Sequence, residues 1–180
     1  MFGLNMVVHK GKTIFVGDTS VHEYPTSEQM AEIAISTARV VRLFGFEPKV
    51  AFVSHSTFGQ PLTSRTKHIR NAVDILKEKK VDFVFDGDMQ PDVALNSEYE
   101  ELYPFSKIVG KANILVMPGQ HSAAISYKMM KTFGDTKVIG PLLIGLGLPI
   151  EIAPLRSSTS ELINLASIAA YSADVINYKK

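Results

Sequence analysis

Two spacings of apolar residues alternate along the chain. Met6–His9 and Thr13–Val16 are short β-prone runs on either side of Lys10–Gly11–Lys12, the pattern of a hairpin or tight reversal. The period then becomes helical. Met30, Ile33, Ala34, Thr37, Ala38, Val41 and Phe44 share one face, behind a cap signal at Pro25–Thr26–Ser27–Glu28–Gln29. Gly45 ends that helix, and Lys49–Ser54 reads as a short apolar strand. A polar turn, His55–Ser64, leads into a second helix with Ile69, Val73 and Leu76 on one face.

The alternation continues to the end of the chain. Val81–Phe85 reads as a strand, Pro91–Tyr103 as a short helix with irregular structure, and Ala112–Met117 as a buried strand. Ser122–Phe133 follows as a helix, Lys137–Ile139 and Ile150–Ala153 as strands, and Thr159–Ile176 as a final amphipathic helix. The glycine-interrupted apolar run Val138–Ile152 reads as close packing around two buried strands, with a part in a subunit contact. Strands joined through helices predict a mostly parallel sheet covered on both faces, because parallel neighbours need crossovers. The chain shows no repeat or linker, so residues 1–180 read as a single α/β domain.

Composition narrows the function classes. Lys plus Arg is 19 against 18 for Asp plus Glu, which gives no general pull toward nucleic acid or an anionic membrane. A short basic cluster, Arg65, Lys67, His68 and Arg70, sits on the second helix. Cysteine is absent, which excludes disulfides, zinc–thiolate sites and thiol nucleophiles. No apolar run is long enough to span a bilayer, and His9, Lys10 and Lys12 break any signal-peptide pattern, so a cytoplasmic location is expected.

Three segments sit where such a fold places ligands, beyond the carboxyl ends of the strands. Ser54–Gly59 offers hydroxyls and backbone N–H groups to phosphate oxygens, or it caps its own backbone. Asp86–Asp92 brings three carboxylates together but lacks the calcium-loop spacing; Asp88 or Asp92 is the expected cap of the helix that Pro91 opens, and no metal is expected. Leu155–Ser160 sets Arg156 and several hydroxyls at a helix N-terminus, which suits an anion or a simple Ser/Thr cap. The five histidines show no ligand spacing, and no G-x-S-x-G elbow supports a hydrolase triad.

Taken in order, these segments resemble the phosphate acetyl/butyryltransferase family. The likeness rests on Asp86–Asn96, Tyr103–Ser106, Ala112–Pro118, Ile139–Leu146 and the Ser54–Gly59 turn, and it runs from about Asp18 to Ile176. Tyr103–Ser106 and Asp92–Asn96 are similar in particular to the branch fused behind the catalytic part of bacterial NADP-dependent malic enzymes. The resemblance implies a three-layer α/β/α, isocitrate/isopropylmalate dehydrogenase-like fold. It further implies that this chain is one lobe, the C-terminal one, of a longer two-lobed domain with its cleft between the lobes.

Carried over by position, the resemblance places Ser54, Ser56, Thr57, Asp86, Gly87 and Gln90 at an acyl-phosphate/CoA cleft. Gly140 and Pro141 shape its wall, and Arg156 matches the acyl-phosphate-binding arginine. Active members resemble one another in a Ser-Arg-Gly-Cys-Ser stretch with an Asp six residues after the Arg. Here Leu155 precedes Arg156, Leu162 stands at the acidic position, and Ala124 replaces an Asn. A missing general base removes about 10²–10⁴-fold in rate and a missing oxyanion donor about 10²–10³. The expectation is therefore a ligand cleft without efficient catalysis, in a homo-oligomer joined to a malic enzyme catalytic part. Acetyl-CoA or a related CoA ester is the expected regulatory ligand, with no tightly bound cofactor; NADP and a divalent metal belong to the malic enzyme part. An active phosphate acyltransferase is the alternative, followed by a purely structural dimerisation domain and, last, a metal-dependent hydrolase at Asp86–Asp92.

Overall fold

The computed structural model describes residues 1–177, with side chains to 174. Strands β1 (Phe2–His9) and β2 (Lys12–Gly17) form the expected hairpin. Its two turn residues, Lys10 and Gly11, both take positive φ (47° and 78°), the geometry whose twist matches the flanking strands. Helix α1 (Ser27–Leu43) starts at Thr26, whose side chain accepts from the Gln29 N–H while the Gln29 side chain accepts from the Thr26 N–H. Then come β3 (Lys49–Val53), α2 (Ser64–Glu78), β4 (Val84–Met89), the short α3 (Pro91–Leu95), a 3₁₀ turn (Ser97–Tyr99), β5 (Ile114–Val116), α4 (Gln120–Thr132), β6 (Thr136–Ile144) and α5 (Thr159–Asn177).

The six strands form one sheet in the order β4-β3-β5-β2-β1-β6. Pairings among β2, β5, β3 and β4 are parallel; β1 runs antiparallel to both β2 and β6. Side-chain alternation splits the core between two faces. Val50, Phe52, Ile114 and Val116 point to the face covered by α1, α2 and Leu165 of α5. Ala51, Val53 and Leu115 point to the other, under α3, Ile108–Val109 and α4. This is the three-layer α/β/α arrangement, with most pairings parallel.

Two segments differ from the sequence expectation. The strand expected at Val81–Phe85 begins at Val84 and runs on to Met89, so Asp86, Gly87 and Asp88 belong to the strand and not to a loop beyond it. Phe83, which resembled a strand residue, is buried in the core before the strand starts. At the other edge, Val138–Ile152 holds one strand, β6, and Ile150–Ala153 contributes only a single bridge from Glu151 to Leu142. The segment is also less buried than expected: Val138 and Leu142 are inside, whereas Leu148, Ile150 and Ile152 are exposed.

Candidate functional site

Neighbouring strands β3 and β5 send their chains to opposite faces of the sheet, β3 into α2 and β5 into α4. Such a reversal opens a crevice between the two departing helices, the usual ligand position in this class of fold. Two adjoining cavities occupy it, of about 640 and 320 Å³. Arg65, Ile69, Pro118 and Ser122 line both, so they form one continuous trough. His68 and His121 border the larger cavity, and Ser54 and His55 the smaller. Their size suits a small organic molecule, for which about 300–1,000 Å³ is typical.

The Ser54–Gly59 turn is stitched to the end of β4. Ser54 N–H donates to Met89 O (2.9 Å) and Phe58 N–H to Asp88 O (2.7 Å). Ser56 Oγ donates to Asp88 Oδ2 (2.6 Å), Thr57 Oγ1 accepts from Gln90 N–H (3.2 Å), and Gln90 Nε2 donates to His55 O (2.8 Å). Ser56 therefore has its hydroxyl occupied and no exposed surface, and Thr57 is also buried. Ser54 is the hydroxyl of the turn that borders the trough. Asp88 does not cap α3, as either it or Asp92 was expected to: the N-cap is Gln90, with no side-chain cap, and Asp88 lies fully buried behind the turn.

Asp86 and Gly87 face elsewhere. They border a separate hollow of about 410 Å³ on the β4 edge, with Phe58, Arg70, Lys77 and Phe105. Gly140 and Pro141 lie on β6, at the opposite edge of the sheet, and wall a small hollow of about 60 Å³ with Asn5, Lys131, Ser157 and Glu161. Arg156 is exposed in the turn next to that hollow. The nine residues singled out from sequence thus separate: Ser54 borders the trough with Ser56, Thr57 and Gln90 in the hydrogen-bonded turn behind it, Asp86 and Gly87 lie on one edge, and Gly140, Pro141 and Arg156 at the other.

Glu161 joins the last group and was passed over in the sequence. Its carboxylate receives Ser158 N–H (2.7 Å) and Ser158 Oγ–H (3.0 Å), while Ser158 Oγ accepts Glu161 N–H (3.2 Å), a reciprocal cap of α5. Lys131 Nζ, reaching from α4, adds a 2.9 Å ion pair. The Lys131 ammonium first, and then the Ser158 donors, hold this carboxyl down to about 2. Arg65 and His68 were visible only as part of a basic cluster; their i, i+3 spacing next to a helix start was the available sign that they share a face. Among the described residues no three His, Asp or Glu side chains are grouped to hold a metal ion, and no helix is long and apolar enough to cross a membrane.

The sequence matches the phosphate acetyl/butaryl transferase family over residues 1–170. It is 47% identical over 173 residues to an NADP-dependent malic enzyme of Rhizobium meliloti, covering 96% of this chain and 23% of that protein. To a phosphate acetyltransferase of Clostridium acetobutylicum it is 36% identical over 162 residues, covering 89% of this chain and 49% of that one. The crystal structure of a phosphotransacetylase from Streptococcus pyogenes superimposes with a TM-score of 0.90 at 31% identity, over 96% of this chain and 53% of its own. The chain thus spans under a quarter of this malic enzyme and about half of each of these two acyltransferases. Its match along nearly the whole length makes this chain a member of the phosphate acetyl/butaryl transferase family, similar both to acetyltransferases and to one part of larger NADP-dependent malic enzymes.

Proposed function

We propose that this chain binds acetyl-CoA, a related CoA ester or an acyl phosphate without turning it over efficiently, and that binding regulates and helps assemble an NADP-dependent malic enzyme. The observation that carries the reading is the engagement of Glu161, whose carboxylate accepts from Ser158 N–H (2.7 Å), Ser158 Oγ–H (3.0 Å) and Lys131 Nζ (2.9 Å). Acyl transfer to CoA requires a group able to take the thiol proton, and a thiol ionises near ~8.5. A carboxylate already occupied by Lys131 and Ser158, which lower its basicity, is a poor acceptor for it. Leu155, fully exposed beside Arg156, offers no hydroxyl to a tetrahedral intermediate, and Leu162 offers no charge. Binding groups remain: Arg65 and His121 at the trough suit the phosphate-bearing end of the ligand, and Arg156 suits an acyl phosphate, whereas His68 has both ring nitrogens engaged, Nδ1 with Ser27 Oγ (3.1 Å) and Nε2 with Pro25 O (2.9 Å).

Regulation requires that the ligand favour one assembly state over another. Titration calorimetry with acetyl-CoA, paired with light scattering with and without it, tests this. Saturable binding with a change in oligomer size is expected; absence of heat at millimolar ligand would contradict it. The second reading, an active phosphate acyltransferase, draws on the same residue, because Glu161 does place a carboxylate in the hollow walled by Gly140 and Pro141. It requires that the Lys131 pair open when substrate arrives.

A further inference from the structure

After β6 the chain turns at Gly145 (φ 87°) and doubles back, so that Glu151 pairs with Leu142 in a single antiparallel bridge. The Glu151 side chain enters a crevice of about 40 Å³ between α1, β6 and α5, among Val40, Phe44, Leu142, Ile144, Ile168 and Tyr171. One carboxyl contact is the backbone N–H of Leu143. Among the described residues the other oxygen, Oε2, is buried without a partner, and no cation lines the crevice. On α1, Arg42 is engaged with Asp82 (2.9 Å) and Arg39 is exposed outside the crevice. On α5, Asp174 is exposed outside it, and the Tyr171 hydroxyl, the one other titratable group in the lining, donates to Leu43 O (3.1 Å). β6 contributes only apolar residues to the lining.

Glu151 is half-buried with its Oε2 atom inside, so a neutral carboxylic acid fits this place better than a carboxylate, which would lose water there beside hydrocarbon with no counter-charge in the lining. We propose that Glu151 is a pH-operated latch on the returning 145–158 segment: neutral, it stays seated between α1 and α5; ionised, it leaves the crevice and loosens the turn that carries Arg156. Burial raises its ionisation to about 7, which puts the transition in the physiological range. The sign follows from the raised value: the seating is complete below about 4.5 and is lost as pH rises through about 7. The latch stands independently of which ligand the chain binds.

Trypsin reports the state of the turn by cutting after Arg156, with cutting after Lys10 in the β1–β2 turn as an internal control. The ratio of the two rates is measured in the wild type and in Glu151→Gln, which keeps the shape and removes the charge; dividing one by the other cancels the enzyme's own pH profile. The expected result is about a tenfold rise in that quotient between pH 6 and pH 8, the change in ionised fraction of an acid near 7. Glu151→Leu, which matches the apolar lining, should stay as flat as Glu151→Gln and serves if the amide variant folds poorly. A quotient that does not change with pH, or wild-type cutting at Arg156 and Lys10 that rises in step, overturns the latch.

Discussion

Ser56 donates its hydroxyl hydrogen to Asp88 across 2.6 Å, joining the β3–α2 turn to the end of β4 inside the protein. Asp88 is fully buried, its Oδ1 has no hydrogen-bond partner, and the nearest cation, Arg70, stands 4.0 Å away and half in solvent. Ser56 is therefore the short contact on which this carboxylate depends, with Gly59 N–H a longer second at 3.4 Å. Ser56→Ala should lower stability by about 1–3 kcal/mol, the cost of leaving a buried acceptor short of a donor. Urea unfolding measures it as a lower midpoint with an unchanged slope.

Gly87 sits beneath Phe52 at φ 149°, and a Cβ there would meet the Phe52 carbonyl oxygen at 2.7 Å. Backbone has no rotamer with which to yield. Gly87→Ala should cost more than about 2 kcal/mol, through strain and the separation of β4 from β3. Thermal unfolding checks it; an unchanged midpoint would mean that the strand pair accommodates the methyl group.

The Lys131–Glu161 pair makes an acid-side prediction. Because Glu161 ionises near 2 in the folded chain and near 4.5 when free, its contribution to stability is present above about 4.5 and is lost as pH falls toward 2. Lys131→Met removes the first cause of the lowering, so the Glu161 carboxyl should titrate closer to its ordinary value. The carboxyl carbon shift, followed by NMR across pH 2–6 in both proteins, reads this directly.

Arg65 borders both halves of the trough, and its guanidinium is the strongest anion-binding group there. Arg65→Gln should weaken acetyl-CoA binding by about tenfold or more, the scale of a lost charge-assisted hydrogen bond. Titration calorimetry measures the change, and unaltered affinity would place the ligand elsewhere.

Much of the fold was legible because local signals agreed with one another. The Thr26–Gln29 cap and the periodic face from Met30 to Val41 specified α1 without help from tertiary structure, and Lys10–Gly11 specified the hairpin. β4 was displaced because Val81–Phe85 is the apolar stretch, whereas the strand continues through Asp86–Gly87–Asp88, residues that usually signal a turn. Pairing with Ala51 and Phe52 of β3, together with the burial of Asp88 against Ser56, holds them in the sheet. The site was harder to read. Its hydroxyls were visible in the sequence, yet which of them face a cavity and which bind a buried carboxylate depends on β3–β4 register. Likewise Glu161 is one residue from Leu162, the position where the resemblance expects an acid, and its engagement with Lys131 spans 30 positions.

The proposed site holds a CoA ester and lacks a working base. Following thioester formation from acetyl phosphate and CoA with the purified chain tests it most directly. Turnover at least about 100-fold below a typical ~10 s⁻¹ enzyme is expected. Turnover within about tenfold of that value would contradict it.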